Sequence, residues 1–308
     1  MRSSEMVIDA VKAYNSLTSL DIQANPQELA QVVELASQMG HLTHATFLGV
    51  GTTDTTLPDD SFKLIQTLRI EGHGVEGIRR IASSVMSPDL RQLDITWAPD
   101  STPVSEADYL PPLDRFQKLR ILLLDAPASF LLHSCIAPAL NCHDLEVVYI
   151  RGKNSDFTQE TLRTMAQSWP NLRDLQLALA GPSRTGVLSL GMLRCFAEFC
   201  PRLKTLAARV LLDLAGDSLN EMRQEAPGVG SALQQIDIGR SVIVLPFAYE
   251  TEKQALKDVA ASLLASWPNL TTVRCDRGGE YRDDWDRLQR ALDSLREELS
   301  APASTNFA

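Results

Sequence analysis

The densest grouping of possible metal ligands consists of His133, Cys135, Cys142 and His143. Two thiolates and two imidazoles suit tetrahedral zinc when the four side chains converge on one point. The apolar pattern over 130–140 predicts a helix, and this helix would spread the four side chains along and beyond its length. We therefore interpret the cysteines as core residues and the histidines as solvated, and predict no metal site.

A second candidate is the segment 72–77, whose Gly-His-Gly-Val-Glu-Gly sequence fits the G-x-G-x-x-G pattern. In a dinucleotide site these glycines would admit a pyrophosphate to a helix N-terminus, and Asp94 on the next strand would bind a ribose. The segment nevertheless lies at an ordinary strand-to-helix turn, and no other feature of such a site accompanies it. We predict no nucleotide and no other cofactor.

Two further groups of polar residues have the side-chain types that calcium binding and catalysis require. The acidic residues within 276–286 lack the spacing of a calcium loop and are favoured at a helix N-terminus by the helix dipole. His41 and His44 could pair with Asp54, but no nucleophile elbow, paired-carboxylate cleft or phosphate loop accompanies them. The sequence predicts a protein that is not an enzyme.

The net charge of the chain limits the kinds of partner that it can bind. The formal net charge is -10 and the isoelectric point is about 5.0, so the long-range field repels phosphate and disfavours nucleic acids and anionic membranes. No apolar run is long enough for a signal peptide or a membrane span. The five cysteines do not have the spacing of a set of disulfide bonds. This is typical of proteins in a reducing compartment and predicts a cytoplasmic or nuclear location.

Any functional residues must be positioned by a repeated unit that fills most of the chain. The unit is an apolar residue, two others, an apolar residue, one other and an apolar residue. Its leading positions recur at intervals of 23 to 37 residues, and they are Leu17, Leu42, Ile65, Leu90, Leu119, Leu145, Leu172, Leu203, Leu233 and Leu270. Each match predicts a short strand, and helical spacing between the matches predicts a strand-plus-helix unit.

Both ends of such an array need a polar cover. Residues 1–16 form a thin N-terminal cap, and the apolar stripe over 281–299 predicts a C-terminal capping helix. We therefore predict one domain over 1–299 with about ten repeats, followed by a flexible tail at 300–308.

The repeat resembles that of the leucine-rich-repeat superfamily, in the strand-plus-helix class similar to ribonuclease inhibitor. The resemblance covers about 17–276. It implies an α/β fold: a leucine-rich-repeat solenoid, or horseshoe, with parallel strands on the concave face and helices on the convex face.

The openings of several repeats carry a narrower resemblance. Trp-Pro-Asn-Leu occurs at 169–172 and 267–270, and Cys-Pro-Arg-Leu occurs at 200–203. Together with the irregular spacing, these openings resemble the repeat region of fungal F-box-like proteins. That family implies the substrate-recognition part of a ubiquitin-ligase receptor. Because the first repeat begins near Leu17, an adaptor would be a partner only if an F-box lies outside this chain.

The predicted concave surface is polar except on the fifth and sixth strands. Strand alternation points one side chain per triplet outward, and on these two strands the outward residues are apolar. We predict that this cluster and its charged border bind a protein; the residues are Arg69, Asp94, Trp97, Ile121, Leu123, Val147, Tyr149 and Arg151. Asp125 belongs to the same border. Two alternatives stay open: the loop 98–112 could cover the cluster, or the assumed strand register could be in error.

These observations lead to one main hypothesis, a protein–protein interaction module that binds a protein ligand on its concave face. A ubiquitin-ligase substrate receptor is one alternative. The other is a structural scaffold that acts through self-association, by way of the apolar patch or the thinly capped N-terminus.

Overall fold

The structure is a computed structural model, and the chain in it divides into two compact units. Unit 1 comprises Met1–Phe157 with Ala178–Pro182, and unit 2 comprises Thr158–Leu177 with Ser183–Ala308. The residues that the structure describes are 2–14, 16–51, 57–58, 60–98, 110, 113–130, 136–153, 157–180, 188–213, 231–239, 241–244, 249–275 and 282–300. The prediction of a single domain over 1–299 stays a prediction, and the predicted tail lies almost wholly outside the described residues.

Strands and helices recur through both units. The strands are β1 Ser19–Gln23, β2 His44–Val50, β3 Thr67–Gly72, β4 Gln92–Trp97, β5 Ile121–Phe130, β6 Val147–Lys153, β7 Asp174–Ala180, β8 Leu188–Ser189, β9 Thr205–Ala208, β10 Val210–Asp213, β11 Gln235–Asp237, β12 Val242–Val244 and β13 Thr272–Arg274. The helices are α1 Arg2–Ala13, α2 Pro26–Ser37, α3 Val75–Ser84, α4 Gln159–Ser168, α5 Cys195–Phe199, α6 Tyr249–Ser266 and α7 Arg282–Ser300.

In unit 1, six strands pair side by side in chain order, and every pair is parallel. The second and third apolar residues of each triplet form two rows across these strands. One row consists of Leu20, Ala45, Leu68, Leu93, Leu122 and Val148, and all six are buried. Because successive side chains of a strand point to opposite faces, the residues between the two rows must face away from this core.

The helices α2 and α3 of unit 1 illustrate how a repeat closes. Asn25 caps α2, since its side-chain oxygen accepts a hydrogen bond from the Glu28 N–H at 3.0 Å, and Pro26 occupies the first turn. The helix then buries an apolar face at the expected spacing, which consists of Leu29, Val32, Val33 and Ala36. The helical spacing between the repeat matches predicted helices at the places of α2 and α3.

In unit 2, β7, β9, β11 and β13 form the corresponding parallel arrangement. Trp169 and Trp267 follow α4 and α6, and both rings are buried. The N–H of Trp169 donates to the Met165 carbonyl at 3.1 Å, and the Trp169 carbonyl accepts from the Leu172 N–H at 3.1 Å. The tryptophan thus ends the helix, and the following proline prevents its continuation. This is the local basis of the repeated Trp-Pro-Asn-Leu opening.

Unit 2 also contains a second sheet, which the sequence did not predict. The short strands β8, β10 and β12 pair in parallel, with β10 in the middle. Ser241 connects this sheet to the preceding turn, since its hydroxyl accepts a hydrogen bond from the Val210 N–H at 2.7 Å and donates to the Ile238 carbonyl. Each short strand follows a strand of the longer parallel arrangement along the chain: β8 follows β7, β10 follows β9 and β12 follows β11.

One predicted helix is wrong in its first part. The pattern over 130–140 predicted a helix from Phe130, whereas β5 continues as far as Phe130 and only a 3-10 helix, Ala137–Asn141, follows within the described residues. His133 and Cys135 lie outside the described residues. Along the described helices, none is both long and apolar enough to cross a bilayer.

Candidate functional site

The predicted partner-binding residues lie mainly on four adjacent strands of unit 1. The parallel register places Arg69 of β3 beside Asp94 of β4, and Asp94 beside Leu123 of β5. Leu123 in turn lies beside Tyr149 of β6. The four residues therefore form one row across the sheet, on the face that points away from the buried core.

Two apolar pairs occupy the β5 and β6 part of this face. Ile121 lies beside Val147, and Leu123 lies beside Tyr149. We call these four residues the apolar quartet. All four side chains are half-buried, whereas the residues that alternate with them on β5, such as Leu122 and Leu124, are completely buried. The quartet thus presents a continuous apolar surface that the described part of the chain leaves partly open to solvent.

Charged residues border the quartet. The Arg69 guanidinium lies 3.5 Å from the carboxylate of Asp94 and 3.6 Å from that of Glu71. On the next strands, Arg151 Nε lies 2.8 Å from Asp125 Oδ1. Three carboxylates and two guanidinium groups therefore share this border, which leaves an excess of one negative charge when all are ionised.

The two aspartates of the border are harder to ionise than usual. Burial raises the pKa of Asp94, and the negative charges of Asp125 and Glu71 add to the rise, while Arg69 opposes it. Burial likewise raises the pKa of Asp125, against the opposing effect of Arg151. A cation brought by a partner would offset both the burial and the mutual repulsion of these carboxylates.

Trp97 differs from its predicted position. The sequence placed it beyond β4, among the exposed anchors of the surface. In the structure Trp97 is the last residue of β4, and its side chain is only 1% exposed. Leu93, Ile95 and Trp97 alternate along one strand face, so Trp97 continues the core side of β4. The prediction of an exposed anchor at Trp97 is wrong, and the remaining seven residues are the candidate surface.

The glycine-rich segment 72–77 has a packing role. A Cβ atom on Gly72 would lie 2.0 Å from the carbonyl oxygen of Val50, and one on Gly77 would lie 2.1 Å from that of Gly51. Both values are far below a van der Waals contact. The glycines thus allow α3 and the end of β3 to approach the preceding repeat. Asp94 is occupied by Arg69 rather than held ready for a ribose.

Three of the four described cysteines, Cys142, Cys195 and Cys200, are poor metal ligands in their present surroundings. Burial raises the pKa of Cys142 to about 11, and its thiol donates to the Leu113 carbonyl at 3.5 Å. Burial raises the pKa values of Cys195 and Cys200 to about 12. Among the described residues, no three His, Cys, Asp or Glu side chains are grouped as a metal site.

The sequence did not predict an open pocket between α2 and α3, with an empty volume of about 330 Å³. Its walls are mainly apolar and include Leu29, Val33, Val50 and Ile81, and Arg80 also lines it. The Arg80 side chain is held by Glu76, since the two approach to 2.9 Å. Gly51 and Gly77 also line the pocket, where they allow the neighbouring repeats to approach closely.

Comparison with solved structures gives a likeness to a repeat protein, whereas the sequence comparisons give no match. No family model matches the chain, and no curated protein matches it. Among solved structures, the chain is similar to a leucine-rich-repeat protein of Leptospira interrogans, with 10% sequence identity and a TM-score of 0.35. The match covers 87% of this chain and 86% of that chain.

Proposed function

We propose that this chain is a protein-interaction module, and that it binds a protein ligand on the sheet face formed by β3–β6. The apolar quartet carries the proposal. Four apolar side chains in two adjacent rows, half-buried and bordered by ion pairs, have the composition of a binding hot spot surrounded by a polar rim. A protein that buried them would gain apolar contact without opening the core.

The charged border would orient that ligand. Arg69 and Arg151 can donate to backbone or carboxylate oxygens of a partner, while Asp94 and Asp125 can accept from its cations. The role proposed is binding, because the border contains fixed ion pairs and no nucleophile with a base beside it.

Affinity capture with a matched control tests this function. The full chain, tagged, would be compared with the Leu123→Ala/Tyr149→Ala double variant and with a Leu64→Ala/Met86→Ala double variant. Leu64 and Met86 are apolar residues with exposed fractions of 46% and 50%, and they are not on the strands of the sheet. We expect specific partners to be retained by the control and lost from the sheet-face variant. Identical partner sets from all three proteins would contradict the proposal.

Thermal unfolding of the same variants separates binding from folding. Leu123 and Tyr149 are half-buried, so their truncation should leave a cooperative transition. Loss of that transition would show that the quartet belongs to the core. The ubiquitin-ligase role suggested by the F-box resemblance stays a prediction, and recovery of a ligase adaptor by all three proteins would support it.

A further inference from the structure

The outward backbone groups of β1 in unit 1 and of β13 in unit 2 differ in their hydrogen bonding. At β13, two of the outward backbone groups are bonded by one side chain of α7. The Val273 N–H donates to Gln289 Oε1 at 2.7 Å, and Gln289 Nε2 donates to the Thr271 carbonyl at 3.2 Å. The Gln289 amide thus takes the place of the backbone of a further strand, and it closes this edge to another chain.

The outward groups of β1 can be identified from its bonds to β2. The Thr18 carbonyl accepts from the His44 N–H at 3.1 Å, and the Ala24 N–H donates to the Leu48 carbonyl at 3.3 Å. In a parallel pair, alternate residues bond to the same neighbour. The even-numbered residues of β1 therefore face β2, and the N–H and C=O groups of Ser19, Asp21 and Gln23 point away from it.

No hydrogen bond to these outward groups is present in the described part of the chain, which includes α1 except for the side chains of its first residues. The side chains of Ser19, Asp21 and Gln23 are exposed as well. The helix α1 packs against α2, and none of the bonds described for its residues plays the part that Gln289 plays at β13. Within the described part of the chain, the β1 edge thus offers three donors and three acceptors in register.

The partial burial of Ile22 also indicates that the β1 edge lacks a neighbouring strand. Ile22 shares a row with Phe47, Ile70 and Ile95 of the following strands, and those three are 0% exposed. Ile22 is only half-buried. The difference follows from position, because each of the other residues has a strand on both sides. An added strand with an apolar residue beside Ile22 would complete the row.

We propose that the outer edge of β1 is a docking site for an extended segment of another protein, which adds as a strand and carries a lysine or arginine opposite Asp21. The edge supplies the backbone bonds, Ile22 selects apolar residues on the core side, and Asp21 selects a cation on the exposed side. This surface is separate from the apolar quartet, so the proposal does not depend on the one above.

The charge of Asp21 also argues against a second copy of this chain. Two β1 strands related by a twofold axis through Asp21 would set the two Asp21 carboxylates directly opposite each other, which is unfavourable. The net charge of -10 adds repulsion between copies. A basic segment would be free of both the repulsion between carboxylates and the repulsion between net charges.

Titration of the isotope-labelled full chain with a short peptide, followed by NMR, tests the proposal. The probe is a capped peptide of sequence Thr-Val-Lys-Val-Thr, and the comparison peptide carries glutamate in place of lysine. We expect saturable shifts and slowed amide exchange at Ser19, Asp21 and Gln23. The lysine peptide should bind about threefold more tightly at low salt.

Two variants make the result specific. Asp21→Asn should retain peptide binding and lose the preference for lysine. Asp21→Pro removes an outward N–H while leaving the bonds to β2, since proline is tolerated at such an edge position, and it should abolish binding. Unchanged signals of Leu20 and Ile22 would show that β1 is still paired.

Three outcomes would overturn the proposal. They are no response at millimolar peptide, equal binding by Asp21→Pro, and a mass that doubles with concentration in the parent chain but not in Asp21→Pro. The last would assign the edge to a second copy. None of these outcomes bears on the apolar quartet, whose variants leave β1 unchanged.

Discussion

Arg115 closes the C-terminal end of a helix that ends more than thirty residues before it. Its Nη2 donates to the carbonyl of Ser83 at 2.6 Å and to that of Ala82 at 3.0 Å, in the last turn of α3. The guanidinium also stacks on the ring of Phe116, 4.8 Å from its centroid. The cation thus satisfies carbonyls that have no partner within the helix and faces the negative end of the helix dipole.

Replacing Arg115 should destabilise unit 1. We expect Arg115→Ala to lower the free energy of unfolding by about 1–2 kcal/mol, because two charge-assisted hydrogen bonds are lost. Arg115→Lys should lose about half as much. Arg120→Ala is the matched control, since Arg120 is exposed and its contact with Glu146 is 3.4 Å, a surface ion pair worth less than about 1 kcal/mol. Urea unfolding measures all three, and equal losses for Arg115 and Arg120 would refute the capping role.

The close approach at Gly77 should make alanine costly there. Gly77→Ala inside a helix would ordinarily stabilise by about 1 kcal/mol. Here the added Cβ would meet the Gly51 carbonyl oxygen at 2.1 Å, so we expect a loss of about 2–3 kcal/mol. Gly40→Ala is the control, because a Cβ there meets nothing within 4 Å. A stabilised Gly77→Ala protein would show that the repeats are not in such close contact.

The raised pKa of Asp94 predicts how its charge contributes to stability. Since the folded-state pKa lies above the unfolded value, ionisation costs the folded state more than the unfolded one. The contribution of Asp94 is therefore most favourable below the ordinary aspartate pKa of 3.8, and it falls as the pH rises through the folded pKa. Carboxyl NMR should give a midpoint above 3.8.

The causes of this shift can be tested separately. Arg69→Met should raise the Asp94 midpoint further, because Arg69 opposes the shift. Glu71→Gln should lower it, because a like charge is removed. Thr96→Ala, a neutral change on the same strand, is the control. A midpoint that ignored both charge changes would contradict the electrostatic account of the border.

The thiols with raised pKa values should be nearly inert in the folded protein. With a pKa of about 11, roughly 0.1% of Cys142 is thiolate at pH 8, and Cys195 and Cys200, near 12, have less. Alkylation at pH 8, read by peptide mass spectrometry, should modify these residues rapidly in urea and hardly at all without it. Rapid modification of Cys142 in the native chain would show that its site opens.

Much of the strand framework could be predicted from single residues. The spacing of Leu122 and Leu124 determined both the strand and the direction of Leu123, because side chains alternate along a strand. The position of Trp97 was missed because it depends on where β4 ends. Strand ends are the part of an element that a sequence pattern determines least well.

Other features depend on contacts between distant residues. The second sheet was missed because β8, β10 and β12 are two to four residues long, too short for a periodic signal. The closure of β13 by Gln289 relies on a polar side chain of α7, a helix that the sequence identified only by its apolar stripe. The edge of β1 is open because no described residue bonds to its outward backbone groups as Gln289 bonds to those of β13.

The bond between Gln289 and β13 also sets a limit on polymerisation. Head-to-tail growth of a sheet from many chains needs each molecule to offer a free edge at both ends, so that β1 of one meets β13 of the next. Gln289 already occupies the second of these edges. Strand addition can therefore add one neighbour at β1 and then stop, so a filament cannot propagate by this route.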